Sequence, residues 1–153
     1  MLGHGITNIS GSGAVANDLE KIYQAYHLKY QPINFSDIKY EYWRDNWQRI
    51  IVLDNREASP RMIDVLPELK VISRGVPVVV VASQAEQSFE LLTTSRLDGA
   101  EGVWFSETGT ESQLMQLLGV ADRKLIRWSS HLAWARHEEV RSLSTTPSHA
   151  FAH

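Results

Sequence analysis

The chain has 153 residues, 43% of them hydrophobic, with a formal net charge of −3 and a pI near 6.0. That length sets one domain with material for a real core, and the mild acidity removes any overall pull toward nucleic acid or an anionic membrane. The lack of cysteine excludes a disulfide framework and thiolate metal sites. The longest apolar stretch, Val76 to Ala82, holds Pro77 and is far too short to span a bilayer. With no basic-then-apolar leader at the N-terminus, the expectation is a soluble cytoplasmic protein without a membrane partner.

In chain order, Ile6 to Ile9 reads as a short first strand, followed by the turn Ser10-Gly11-Ser12-Gly13. Asn17 or Asp18 opens a helix whose apolar residues Leu19, Ile22, Tyr23 and Tyr26 recur at helical spacing. Pro32 to Phe35 is a short second strand, and the aromatic stretch Asp37 to Gln48 has no clear period. The bare run Ile50-Ile51-Val52-Leu53 is a third strand, apolar on both faces as a buried parallel strand must be, and it ends in Asp54. Ala58 to Ser73 puts Met62, Ile63, Val65, Leu66, Leu69 and Ile72 on the apolar side of a helix, in which Pro67 predicts a kink or an early break.

Val76 to Val81 is the fourth strand, Ala85 to Ser95 a helix, Gly102 to Phe105 the fifth strand and Glu111 to Leu118 the fifth helix. This alternation predicts an α/β fold, a doubly wound parallel five-stranded sheet with an extra C-terminal helix from Lys124 to Leu143. The expected division is a domain over 1–120, a linker or dimerisation helix over 121–143 and a flexible tail over 144–153.

Ligands of open α/β sheets gather at the carboxyl ends of the strands. Asp54 is therefore either a functional carboxylate or a residue that caps the next turn, bonding Asn55, Arg56 and nearby backbone. Asp54, the helix Met62-Ile63-Asp64-Val65-Leu66-Pro67, the strand Pro77 to Ser83 and the segment Gly99-Ala100-Glu101-Gly102-Val103 follow one another in an order that resembles a response-regulator receiver domain. The resemblance implies a receiver, or flavodoxin-like, fold. It implies Asp54 at the phosphoacceptor position, Ser83 as a hydroxyl for the phosphoryl oxygens and Trp104 as a switch aromatic.

Two further roles have no residue. The first strand runs into Ile9, Ser10 and Gly11 where an acidic pair belongs, and Ser106 stands near the lysine position. Phosphoryl transfer relies on metal and cationic groups to neutralise charge, and Mg²⁺ is held by one or two carboxylates plus waters and phosphate. The expectation is a degenerate receiver: a regulatory, non-enzymatic domain independent of phosphorylation.

Leu117-Leu118-Gly119-Val120, followed by Arg123 to Ala133, is similar to the linker helix of LuxR/NarL-type transcription regulators. The strand Gly102-Val103-Trp104-Phe105-Ser106 resembles the atypical receivers of the biofilm and curli regulators in that group. This resemblance implies a homodimer or a protein partner, and DNA contact only through an output domain that the 153 residues do not contain. It also implies a cyclic di-GMP site at Trp128, Ser129, Ser130 and His131, with two departures. Ser129 replaces an apolar residue, and His131 replaces an arginine whose planar fork and fixed charge histidine does not reproduce at neutral pH. Trp128 as a core or dimer-interface anchor is the plainer reading.

A second functional class competes. Gly11, Gly13 and Ala16 fit G-x-G-x-x-G/A, and Asp37 stands about 20 residues further on, where a ribose-binding acid belongs in a dinucleotide-binding fold. The polar first strand (Thr7, Asn8) counts against it. No metal site is expected: the six histidines are scattered, and His131 and His137 do not share a helical face as an i, i+4 pair would.

Overall fold

The computed structural model describes residues 2–39, 42, 43, 46, 49–57, 61–83, 95, 96 and 98–127. Five strands, β1 (Gly5–Ser10), β2 (Tyr30–Asn34), β3 (Arg49–Asp54), β4 (Val78–Ala82) and β5 (Gly102–Phe105), form one sheet in the order β2-β1-β3-β4-β5. Every pairing is parallel. Helix α1 (Asn17–Ala25) follows β1, α2 (Leu66–Ile72) precedes β4, and α3 (111–127) follows β5. The fold class is thus the expected doubly wound α/β sheet with a C-terminal helix.

Strand periodicity divides the core in two. Ile51 and Leu53 of β3, with Val78, Val80 and Ala82 of β4, pack on one side with Met62, Ile63, Leu66 and Leu69. Ile50, Val52, Val79 and Val81 pack on the other with Leu19, Ile22 and Tyr23 of α1 and Leu114, Leu118 and Leu125 of α3. Both faces of β3 and β4 are therefore covered, which is why these runs are apolar without alternation.

Several boundaries differ from expectation, each for a physical reason. α1 ends at Ala25, with Tyr26 as its C-cap and His27 in the left-handed region at φ 54°. Tyr26 consequently leaves the apolar stripe and is 37% exposed. The segment before β4 is not one helix: a 3₁₀ turn, Met62–Val65, leads into α2, and Pro67 sits in the first turn of α2, where its missing N–H costs nothing. β2 stops at Asn34, and Phe35 opens a 3₁₀ turn, Phe35–Asp37, capped by the Asn34 side chain. Residues 111–127 form one continuous helix, so a separate helix does not begin at Lys124. The expected helix over Ala85 to Ser95 falls mostly outside the described residues, as do Trp128, Ser129, Ser130, His131 and the tail.

Candidate functional site

The order β2-β1-β3-β4-β5 places a topological switch point between β1 and β3, where the chain winds off in opposite directions and an α/β sheet opens a crevice. β3 ends there in Asp54, buried at 4% exposure. Arg56 binds it there. Its Nε donates to Asp54 Oδ1 at 2.9 Å and its Nη2 to Oδ2 at 2.8 Å, while its backbone N–H reaches Oδ1 at 3.1 Å. The same guanidinium continues to the first turn of α1, where Nη1 and Nη2 donate to the two oxygens of Asp18 at 2.5 and 3.0 Å.

One cation thus bridges two carboxylates on different elements. Burial alone would lower the Arg56 pKa, but the hydrogen bonds and charges of Asp54 and Asp18 outweigh it and raise the value. Burial pushes the Asp18 carboxyl up, yet Arg56 prevails and holds it below its ordinary 3.8.

A second tie runs alongside, since Ser12 Oγ donates to Glu57 Oε1 at 2.8 Å. The β1–α1 turn is also closed on itself: Ser10 Oγ donates to Ala14 O at 2.9 Å and accepts from Gly13 N at 3.0 Å. Gly13 has φ +80°, and a Cβ there would stand 3.1 Å from Asn34 Cβ. Gly11 O accepts from Asn34 Nδ2 at 3.0 Å. The glycine turn is therefore packed down on β2.

This geometry does not fit the dinucleotide alternative, whose strand order is 3-2-1-4-5-6. Asn34, not Asp37, closes β2, and Asp37 lies exposed in the 3₁₀ turn. Ala16 is the N-cap of α1 and lends it no side-chain hydrogen bond.

Ser83 directly follows β4 and is half-buried, two residues beyond Val81, which pairs with Asp54. Ser106 follows β5, its N–H donating to Ala82 O at 3.0 Å. Trp104 points inward at 5% exposure, and its indole N–H donates to Thr110 O at 3.0 Å. A Cβ on Gly109 would come within 2.4 Å of Trp104 Nε1, so the 109–110 backbone closes tightly over the ring. A cavity of about 480 Å³ opens beside it between β5 and α3, with Trp104, Phe105, Leu117 and Val120 in its lining.

Beneath the crevice the apolar core on the α1 side holds one buried polar contact. Tyr23 donates its hydroxyl to Asn8 Oδ1 at 2.7 Å, both side chains being buried. Burial and the charge of Asp54 raise the Tyr23 pKa, which keeps the phenol a donor. Among the described residues, the buried Asn8 Nδ2 has no hydrogen-bond partner.

Two residues escaped sequence reasoning, one in part and one entirely. Arg56 was legible as a neighbour of Asp54, but its second partner is 38 residues away. Asp122 was missed altogether: it is buried and accepts from Gly3 N–H, His4 N–H and His4 Nδ1 at 2.9 to 3.2 Å. Its signal was a lone carboxylate on the Leu118–Leu125 stripe of a helix. Among the described residues no cluster of His, Asp and Glu side chains is arranged to hold a metal, and no helix is long and apolar enough to cross a membrane.

No protein-family model and no curated protein sequence matches the chain. Solved structures do. A CheY-like response regulator receiver domain protein of Methanospirillum hungatei aligns over 81% of this chain and 97% of its own, at 11% identity and a TM-score of 0.62. The fold is that of receiver domains. The signal receiver domain of a Luxo repressor protein of Vibrio parahaemolyticus is similar at 12% identity and a TM-score of 0.64, over 82% of this chain and 95% of that one. The receiver domain of a modulated diguanylate cyclase from Desulfovibrio desulfuricans aligns at 15% identity and 0.56, over 80% and 95%.

Proposed function

We propose that this chain is a receiver-type regulatory domain of a transcription regulator that works without phosphoryl transfer, through dimerisation or a protein partner. The observation that carries the reading is the bidentate Arg56–Asp54 pair. An acceptor aspartate must present a free carboxylate oxygen, with metal and cations arranged around the incoming phosphoryl group. Here both oxygens of Asp54 are taken by a guanidinium of the same chain. The positions that would hold Mg²⁺ at the end of β1 are Ser10 and Gly11, which bring no carboxylate.

Support for the regulatory part comes from the company the fold keeps. Similar structures include receivers of a repressor and of a DNA-binding response regulator. DNA contact belongs, in this reading, to a separate output domain, since the domain itself has a net charge of −3. Protein contact is taken as the input in preference to cyclic di-GMP, because His131 lacks arginine's fork.

Incubation with Mg²⁺ and acetyl phosphate, followed by intact mass, tests the proposal. An unmodified mass is expected, whereas a phosphoaspartate mapped to Asp54 would overturn it. A rise in unfolding midpoint with cyclic di-GMP would reassign the input to the nucleotide.

A further inference from the structure

Two structural routes lead away from Asp54, and they are built differently. Along β5, Trp104 is fixed by its bond to Thr110 O and by the 109–110 backbone, which leaves no room for a Cβ. Toward α1, the connection is polar and direct. Arg56 ties Asp54 to Asp18, and Asp18 Oδ1 in turn accepts from the Leu19 N–H at 2.8 Å. Because the Ala16 N-cap supplies no side-chain acceptor, Asp18 is the side chain that anchors this turn. Four residues further along α1, Ile22 and Tyr23 enter the core, where Tyr23 meets Asn8.

The Asn8 side chain is half satisfied: its Oδ1 accepts from Tyr23, while among the described residues its buried Nδ2 has no acceptor.

We propose that α1 is the responsive element of this domain: Arg56 couples the acidic end of β3 to the first turn of α1, while the aromatic of β5 is held out of the switch. The proposal deepens the regulatory reading of the same site. Its test uses no phosphoryl donor, so phosphorylation of Asp54 would sink that reading and leave this one standing.

The experiment is amide exchange and backbone NMR on the full chain, comparing the wild type with Asp18→Asn and Asp54→Asn. Asp18→Asn changes a half-exposed side chain, so the fold is retained and the Arg56–α1 half of the bridge is weakened alone. Exchange at Leu19 and Glu20 should rise about threefold to fivefold in that variant, the scale of a weakened half-exposed ion pair. In Asp54→Asn the amides of α1 through Tyr23 should shift, and the Trp104 indole N–H should not move in either variant. A Trp104 indole that responds, with or without α1, overturns the proposal, and so does an α1 that stays silent in both.

Discussion

Arg56 grips both carboxylate oxygens of Asp54, at 2.9 and 2.8 Å, from only two residues away. The turn leaving β3 therefore carries its own counterion for the buried carboxylate of Asp54. Arg56→Met keeps the length of the side chain and strands Asp54. Breaking a buried pair from one side costs about 3–5 kcal/mol, whereas the half-exposed Asp18 contact adds only about 0–1 kcal/mol. Urea unfolding should show that loss. The double variant Arg56→Met/Asp54→Leu should recover most of it, because no charge is then left buried.

Asp18 should shape the acid limb of stability. Its folded-state pKa lies below the ordinary 3.8 because Arg56 outweighs burial. A depressed carboxyl contributes stability that is fully present above the unfolded value and is lost as pH falls through the folded one. Unfolding free energies measured from pH ~5 downward should fall less steeply for Asp18→Asn than for the wild type. Equal slopes would remove the Arg56 contact from the account.

Asp122 fastens the N-terminus to α3. Its carboxylate collects the N–H groups of Gly3 and His4 and the His4 ring in a part-buried position. Asp122→Ala leaves these donors unpaired and should cost about 1–3 kcal/mol. Asp122→Asn, which keeps one acceptor oxygen, should cost less. Amide exchange at Gly3 and His4 separates a local release from a general weakening.

Gly109 should refuse a side chain. The nearest atoms to a Cβ there are Trp104 Nε1 at 2.4 Å and the Phe105 carbonyl at 2.6 Å. Backbone cannot yield as a side-chain tip can, so Gly109→Ala should lose about 1–3 kcal/mol. The Trp104 indole resonance should move with it. An unchanged unfolding midpoint would mean that the 109–110 segment is looser than described.

The strands were legible because both faces of β3 and β4 are buried, which leaves an apolar signature that needs no knowledge of partners. Asp54 stood out for the same reason, as the carboxylate ending such a run. The Asp18–Arg56 bridge was not legible, since helix caps and first-turn acids look alike in sequence whether or not an arginine reaches them from another element. The expectation ended one helix at Leu118 and began another at Lys124, but packing of Leu118, Ala121 and Leu125 on the sheet carries a single helix 111–127 through Gly119. Pro67 announced a break and not its nature: the 3₁₀ turn before it lets Met62 and Ile63 reach the core.

The most direct measurement is the side-chain NMR spectrum of Arg56 at neutral pH, with and without Mg²⁺. A guanidinium locked between Asp54 and Asp18 should give a slowly exchanging Nε–H resonance, distinct from the averaged arginines and indifferent to the metal. An averaged Arg56 signal, or a Mg²⁺-dependent shift that displaces it from Asp54, would contradict the account of a centre neutralised by its own chain.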